Sequence, residues 1–176
     1  ETLLAIYDKY PLEELIIHPR IQKDFYKYTP RMECYRTAYE TSRHSLCYNG
    51  DLFSTADFQK LCHDFPLTEK VMLGRGVLQN PWLIGMLRST DPASSENLAP
   101  ADKELLRAFC EDLCAGYARV ISGDKNVLFK LKALWIYLGM SFTNPQKYLK
   151  KIKKANRLAE YEEAVDSLFR EQELIF

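Results

Sequence analysis

Residues 70–82 have the sequence KVMLGRGVLQNPW, and this segment carries the clearest structural signal in the chain. A short apolar run ends at Leu73 and a Gly-Arg-Gly turn follows it. Apolar residues then recur with helical spacing, at Val77, Leu78, Trp82, Leu83 and Leu87. An apolar run, a glycine turn and an amphipathic segment in this order predict a buried strand, a tight turn and the start of a helix.

The Gly-Arg-Gly turn has the composition of a phosphate-binding loop. Gly74 and Gly76 let the backbone approach a ligand closely, and Arg75 offers a planar guanidinium that can bind phosphate through two hydrogen bonds. The first turn of the predicted helix would add unpaired N–H groups and the positive end of its dipole. The same residues also suit a sharp turn without a ligand, and the segment alone does not decide between these interpretations.

The chain up to residue 87 alternates between predicted helices and strands. The helices are predicted at residues 1–10, 32–44, 56–65 and 77–87, and the strands at residues 12–17, 46–48 and 70–73. Successive strands are roughly 25 to 30 residues apart, a spacing typical of right-handed βαβ units with a parallel sheet. Ser54 and Asp57 have the spacing of a helix capping box.

Polar residues follow each predicted strand, namely His18 and Arg20, then Asn49, Gly50 and Asp51, then Arg75. In a (β/α)8 barrel these loops form one face, which holds the active site, and phosphate commonly binds after the last two strands. Three strands cannot close a barrel. Residues 1–88 are therefore predicted to be the C-terminal portion of a (β/α)8 TIM barrel.

The same polar residues also have simpler interpretations. His18 could donate a hydrogen bond to the ring of a bound cofactor, or it could only cap the end of a strand. Asn49-Gly50-Asp51 could surround a ligand's hydroxyl or phosphate, or it could be a plain turn, since Asn-Gly is a strong turn dipeptide.

The remainder of the chain is predicted to be a linker followed by helices. Residues 89–100 are polar and flanked by proline, as expected of a linker. Residues 101–176 show helical periodicity at 101–121, 126–138, 144–154 and 159–169, which favours a four-helix bundle domain. The first helix is predicted to bury Leu105, Leu106, Phe109, Leu113, Tyr117 and Val120. Phe129, Trp135, Tyr137 and Phe142 are expected in the same core rather than as a platform for base stacking.

The third of these helices contains the densest basic run in the chain. Its side with Lys147, Lys150, Lys151 and Lys154 suits contacts with an RNA backbone, which would weaken with salt. The alternative is a solvated helix face, balanced by the acidic residues of the next helix, Glu160, Glu162 and Glu163.

Composition limits the remaining possibilities. The 176 residues include 24 basic and 24 acidic side chains, which excludes a uniformly basic nucleic-acid binder. No apolar run approaches the roughly 20 residues of a membrane span, and no signal peptide is apparent. The five cysteines lack a Cys-X-X-Cys pair and have no His at ligand spacing, which predicts buried thiols in a cytoplasmic protein and no metal site. No Ser, His and Asp spacing predicts a catalytic triad.

Three motifs, in this order, resemble those of the tRNA-dihydrouridine synthases. They are IIHPRIQ at 16–22, YNGDLF at 48–53 and VMLGRG at 71–76, the last followed by QNPW at 79–82. The helical segments with their lysine-rich helix resemble the C-terminal domain of that family. The resemblance extends over nearly the whole chain.

The resemblance implies an FMN-containing barrel, with the flavin phosphate held after strands seven and eight, and a helical domain that grips tRNA. The implied cofactor-binding residues are His18, Asn49, Gly50, Asp51, Gly74 and Arg75, and RNA contacts are expected from Arg20, Lys147, Lys150, Lys151 and Lys154. The implied reaction reduces a tRNA uridine to dihydrouridine: reduced flavin delivers hydride, NADPH is the usual reductant, and a cysteine from an earlier loop is the acid.

Two features depart from the family's pattern. Pro19 stands where the family usually has Gly or Ala. The first five strands, the Asn-X-Gly-Cys-Pro-like loop and the flavin-contacting lysine have no counterpart in this sequence, which also lacks an initiator Met. We therefore expect a C-terminal fragment that does not reduce uridine alone, assign the acid to none of its cysteines, and expect self-association through exposed sheet edges.

Two alternatives remain open at this point. The chain could be a non-catalytic RNA-binding helical module with a barrel remnant, or part of another FMN-dependent barrel oxidoreductase that acts on a small molecule. Bound flavin would distinguish the first alternative from the enzyme, and the basic helix argues against the second.

Overall fold

The structure is a computed structural model that describes residues 2–24, 26–89 and 101–176. Within these ranges it contains three β-strands: β1 (Leu15–Ile17), β2 (Leu46–Tyr48) and β3 (Lys70–Val71). The same ranges contain nine α-helices: α1 (Thr2–Tyr7), α2 (Met32–Thr41), α3 (Thr55–Asp64), α4 (Arg75–Gln79), α5 (Leu83–Ser89), α6 (Lys103–Val120), α7 (Asp124–Leu138), α8 (Gln146–Lys154) and α9 (Leu158–Glu171). Among the described helices, none has both the length and the hydropathy of a membrane-spanning segment.

The three strands form one parallel sheet in the order β1-β2-β3. Ile17 of β1 is opposite Tyr48 of β2, and Tyr48 is opposite Val71 of β3. Because the strands are parallel and in sequence order, their carboxyl ends meet at one edge of the sheet. The predicted parallel βαβ arrangement is therefore confirmed, although β1 and β3 are shorter than predicted.

An aromatic core joins the sheet to its helices. Tyr35 of α2 has no solvent-exposed surface, and its ring meets Tyr48 edge-on at 4.8 Å and Phe65 edge-on at 5.0 Å between centroids. Such edge-to-face pairs are a favoured geometry for buried rings. The capping box predicted for α3 is present, because the Ser54 side chain accepts from the Asp57 N–H and the Asp57 carboxylate accepts from the Ser54 N–H. These contacts fix α2 and α3 against β2.

The helix predicted at residues 77–87 is two helices. α4 ends at Gln79 and α5 begins at Leu83. Pro81 lies between them, and proline cannot donate the backbone hydrogen bond that a continuous helix requires. The Asn80 side chain accepts from the Trp82 N–H at 2.9 Å and stabilises the turn at this break.

The described residues group into two compact units. The first contains residues 2–77 and 83–89 as far as they are described, and the second contains residues 78–82 and 101–176. Most of the predicted linker, residues 90–100, lies outside the described residues. In the second unit, helices α6 to α9 all contribute to one hydrophobic core, which includes Leu128, Leu131, Leu138, Tyr148, Ile152 and Leu168.

Two predictions about this second core were wrong. α6 buries Leu106, Cys110 and Cys114, whereas Leu105 and Val120 are 60% and 80% exposed. Phe109 is also exposed, because the helix turns its cysteine-containing stripe inward. In α7, Phe129 is 73% exposed. Of the other aromatic residues expected in this core, Trp135 and Phe142 are buried and Tyr137 is half-buried.

Candidate functional site

The loops that follow β1, β2 and β3 enclose a cleft of about 290 Å³. All six residues that were predicted to bind a cofactor line it: His18, Asn49, Gly50, Asp51, Gly74 and Arg75. They come together because parallel strands end at the same edge of the sheet, as in other open α/β sites. The cleft lies entirely within the first compact unit.

The backbone N–H and carbonyl of Asn49 connect the loop after β1 to the loop after β2. The Asn49 N–H donates to the Ile17 carbonyl at 2.9 Å, which continues the ladder between β1 and β2. The Asn49 carbonyl then accepts from Nδ1 of His18. Since a carbonyl only accepts, Nδ1 carries a proton and donates this hydrogen bond, and Nε2 takes no part in it. His18 therefore caps the end of the sheet and still lines the cleft.

The glycines of the cleft have different structural roles. A Cβ at Gly50 would collide with the buried ring of Tyr48, and a Cβ at Gly76 would collide with the carbonyl oxygen of Leu52. A Cβ at Gly74 would meet no atom within 4 Å. Gly50 and Gly76 are thus required for packing, and Gly74 is the position in the Gly-Arg-Gly turn where the backbone is open.

Arg75 is held on three sides. Its Nη2 donates to Oδ1 of Asp51 at 2.5 Å, and its guanidinium lies 4.1 Å from the ring centroid of Tyr26 and 5.5 Å from that of Phe53. Its Nε and Nη1 donate to no acceptor in the described part of the chain. Two N–H-bearing nitrogens therefore remain for an anionic ligand, with the charge and planar shape that suit a phosphate.

Arg20, from which an RNA contact was predicted, has a buried side chain. Its side chain is 3% exposed, its Nη1 donates to Oδ1 of Asp51 at 3.0 Å, and its Nε and Nη2 donate to the Tyr28 carbonyl at 3.1 and 2.9 Å. Nη2 also donates to Oδ2 of Asp51. This burial argues against the predicted RNA contact, because an RNA phosphate would have to displace internal partners. Arg20 instead anchors the Asp51 carboxylate.

A second ion pair, which was not predicted from the sequence, braces the loop after β1. Asp24 is buried, its carboxylate accepts from Nη1 and Nη2 of Arg31, and it also accepts from the Ile21 N–H at 3.0 Å. The hydrogen bond from Arg31 lowers the pKa of Asp24 below its ordinary value. The loop between these residues carries Tyr26, whose φ of 60° is unusual for a residue other than glycine. No periodic signal in the sequence indicates such a pair.

The four predicted lysines of the basic helix α8 differ in whether they form an ion pair. Lys147 Nζ lies 3.0 Å from the Glu171 carboxylate and 4.6 Å from the Tyr148 ring centroid, and hydrogen bonds to these residues raise its pKa. Lys150, Lys151 and Lys154 are exposed, and they form no ion pair within 4 Å among the described residues. The last two line a shallow depression together with the acidic residues Glu160 and Glu163. Three of the four predicted lysines are therefore available to a polyanion.

The cysteines do not form a reactive site. Cys47, Cys110 and Cys114 are buried, and burial raises the pKa of each thiol, that of Cys110 to about 12. Such thiols stay protonated and unreactive at neutral pH. Cys62 is half-buried with a raised pKa for the same reason. Cys34 is exposed on the outer face of α2, so the prediction of buried thiols fails at this position.

Comparison with known proteins identifies the family. The family model described as dihydrouridine synthase (Dus) matches residues 8–173. A comparison with curated proteins found no match. The family has a TIM-barrel fold, and the three-stranded parallel sheet with its flanking helices is consistent with part of such a barrel. The chain therefore belongs to the dihydrouridine synthase family, a family of tRNA-modifying flavin oxidoreductases.

Proposed function

We propose that this chain provides the phosphate side of an FMN site and an RNA-binding surface for the reduction of uridine to dihydrouridine in tRNA, with NADPH as the reductant, in the cytoplasm. The observation that carries the proposal is the cleft at the ends of β1 to β3. There Arg75, whose Nε and Nη1 are unpaired among the described residues, lines the cleft next to the open backbone of Gly74.

The chemistry of the cleft fits a flavin phosphate. Gly74 and Arg75 would hold the phosphate, through backbone N–H groups and a charge-assisted hydrogen bond. Asn49 and Gly50 would form the neighbouring wall, and His18 would face the cofactor with its Nε2. When bound and reduced by NADPH, FMN would supply the hydride that reduces the base. The residues of this chain bind and orient the cofactor, and we assign no catalytic residue among them.

We further propose that residues 1–88 are the C-terminal portion of the barrel, that residues 89–100 are a linker, and that residues 101–176 form a four-helix tRNA-binding domain. The shared core of α6 to α9 supports this division. The exposed lysines of α8, Lys150, Lys151 and Lys154, would contact the phosphate backbone of tRNA.

The test is to measure FMN binding by flavin fluorescence and visible absorption, with the purified chain and with the variants Arg75→Ala and Arg43→Ala. Arg43 is a matched control, because its side chain is 59% exposed and pairs only at 3.9 Å with Asp8. Loss of a charge-assisted hydrogen bond costs about 1.5 to 3 kcal/mol, so Arg75→Ala should weaken FMN binding by about 10- to 150-fold. Arg43→Ala should change it by less than about two-fold.

A tRNA-binding measurement on the same samples tests the second candidate function, a non-catalytic RNA-binding module, which the exposed lysines of α8 favour. A chain that binds tRNA and retains no FMN would support that function and contradict the flavin proposal. FMN binding that is equal in the Arg75→Ala variant and the unsubstituted chain would remove Arg75 from the site.

We also propose that the sheet edges allow self-association. Among the described strands, β1 and β3 each pair on one side only, and Ile16 of β1 is 47% exposed. Unpaired strand edges are templates for pairing with another chain. Sedimentation velocity should show a concentration-dependent dimer, and a single monomeric species at all concentrations would contradict the proposal.

A further inference from the structure

We infer that Asp51 is a positioning residue that aims Arg75 at the cofactor phosphate and does not itself bind the cofactor. This inference rests on the proposed FMN site. It differs from the expectation drawn from the sequence, in which Asp51 was one of the residues in contact with the cofactor.

The first observation is that both oxygens of the Asp51 carboxylate already accept hydrogen bonds from arginines. Its Oδ1 accepts from Nη1 of Arg20 at 3.0 Å and from Nη2 of Arg75 at 2.5 Å, and its Oδ2 accepts from Nη2 of Arg20. A carboxylate in direct contact with a phosphate would repel it. Between two guanidiniums, the negative charge of the carboxylate is offset by two positive charges.

The second observation is that Arg20 is far more buried than the two residues it leads to, Asp51 and Arg75. Arg20 is 3% exposed, whereas Asp51 and Arg75 are 27% and 24% exposed. Arg20 is fixed in turn by the backbone carbonyl of Tyr28. Arg20 is therefore held by internal partners. Arg75 is the member that can bind an anion, because its Nε and Nη1 have no acceptor among the described residues.

The third observation is that two aromatic rings also contact the Arg75 guanidinium and restrict its orientation. The ring of Tyr26 lies 4.1 Å from the Arg75 guanidinium, and the ring of Phe53 lies 5.5 Å from it. With one nitrogen held by Asp51 and the plane held by the rings, the Nε and Nη1 groups are oriented before a ligand arrives. Binding to a preorganised group loses less conformational entropy.

Charge and position predict opposite results for Asp51→Asn, and this makes the inference testable. The substitution removes a negative charge near the phosphate, so by charge alone FMN should bind more tightly. If Asp51 acts by holding Arg75, FMN should bind more weakly. Asp51→Glu keeps the charge and displaces the carboxylate by one methylene. It should therefore weaken FMN binding if the position of the carboxylate matters, and leave it unchanged if only the charge does.

The experiment compares the affinities for FMN and for riboflavin, which has the same ring system and no phosphate. The variants are Asp51→Asn, Asp51→Glu, Arg75→Ala and the double variant Asp51→Asn/Arg75→Ala. Asp64→Asn is the matched control, because this carboxylate pairs only with the exposed His63 next to it. We expect Asp51→Asn to weaken FMN binding about 10-fold, and riboflavin binding by less than about two-fold.

The double variant provides the decisive measurement. A residue that acts through Arg75 has no further effect once Arg75 is absent, so the double variant should bind FMN like Arg75→Ala alone. Equal losses for FMN and riboflavin would instead indicate general damage to the cleft and overturn the inference. Asp51→Glu serves the same comparison if Asp51→Asn does not fold.

The two levels of the proposal fail in different ways. If the unsubstituted chain prefers FMN over riboflavin and Arg75→Ala removes this preference, the FMN site stands. Unchanged or tighter FMN binding by Asp51→Asn then overturns only the role of Asp51. If the unsubstituted chain binds FMN no better than riboflavin, the phosphate site itself is wrong and the inference falls with it.

Discussion

The ammonium group of Lys147 lies 3.0 Å from the carboxylate of Glu171, and this ion pair separates Lys147 from the other lysines of α8. Tyr148 supports the pair, because its hydroxyl donates to the same Glu171 oxygen at 2.6 Å. A cation that is already paired has less to gain from an RNA phosphate than an unpaired one. The four lysines that look equivalent in the sequence are therefore expected to contribute unequally to binding.

The first prediction concerns the salt dependence of tRNA binding. Substituting Lys150, Lys151 and Lys154 together by Ala should weaken binding and reduce the slope of log affinity against log salt by about one unit for each lysine that contacts a phosphate. Lys147→Ala should change the slope by less. Filter binding at several salt concentrations measures both effects.

The variant Glu171→Gln provides the control for this prediction. It removes the carboxylate that pairs with Lys147. In this background, Lys147→Ala should change the slope of log affinity against log salt about as much as a substitution of one of the other three lysines. Equal slopes for Lys147→Ala and a single Lys150→Ala variant in the unsubstituted background would contradict the role given to the ion pair.

The second prediction concerns the pH dependence of stability. The pKa of Asp24 is lowered in the folded chain, chiefly by the hydrogen bond from Arg31, so the unfolded state binds more protons through the acidic range. The stabilisation is therefore fully present above the unfolded pKa of about 3.9 and is lost as the pH falls through the lower folded value.

Asp24→Asn removes this ionisable group. The free energy of unfolding of the variant should be lower than that of the unsubstituted chain at pH 7, and the difference should shrink below pH 4. Urea unfolding followed by far-ultraviolet circular dichroism at pH 7, 5 and 3 measures the difference. A difference that does not change with pH would show that the ionised carboxylate does not stabilise the loop.

The sequence was sufficient for the parts of the fold that depend on local chemistry. Apolar runs, turn residues and the capping box at Ser54 and Asp57 predicted the parallel order of the strands and the start of α3. The residues around the cleft were also predictable, because residues that directly follow parallel strands are brought to one edge of the sheet.

What the sequence could not decide was which of two adjacent stripes α6 buries. Leu105 and Phe109 lie on one stripe, and Leu106 and Cys110 lie one position further along the helix. Both stripes have apolar spacing, so the choice depends on which stripe packs against the neighbouring helices. Cys110 counts as weakly apolar in the sequence, yet small thiols are among the most frequently buried side chains.

The pairing of Arg20 with Asp51 could not be predicted either. The two residues are 31 positions apart, and their contact depends on the parallel register of β1 and β2. A charged residue after a strand is compatible with a ligand contact and with an internal ion pair. Only the three-dimensional arrangement distinguishes these, and here it places Arg20 inside.

The third prediction concerns a buried hydrogen bond in the second unit. Trp135 Nε1 donates to the Tyr161 hydroxyl at 2.8 Å, and both side chains are buried. Tyr161→Phe would leave the indole N–H without its acceptor, which costs about 1 to 3 kcal/mol of folding free energy. Tryptophan fluorescence during urea unfolding measures the loss.

Tyr137→Phe is the matched control for this prediction. Tyr137 is half-buried, and no hydrogen bond to its hydroxyl occurs among the described residues. Its removal should change the free energy of unfolding by less than about 0.5 kcal/mol. Equal effects of the two substitutions would mean that the bond between Trp135 and Tyr161 does not contribute to stability.

The last prediction concerns the two glycines on either side of Arg75. In Gly76→Ala, the new Cβ would collide with the carbonyl oxygen of Leu52 and lie 2.9 Å from Cδ2 of Leu83. A backbone oxygen cannot rotate away as a side chain can, so α4 must shift relative to the loop after β2. Overpacking of this kind costs about 1 to 3 kcal/mol, which circular dichroism during urea unfolding can measure.

Gly74→Ala should behave in the opposite way. Its φ is not in the left-handed region, and its Cβ would meet nothing within 4 Å, so the free energy of unfolding should stay within about 1 kcal/mol of that of the unsubstituted chain. FMN binding should nevertheless weaken, because the methyl group would occupy the space through which the phosphate approaches the backbone. If Gly74→Ala binds FMN normally while Gly76→Ala destabilises the fold, the turn has a packing role at Gly76 and no phosphate-binding role at Gly74.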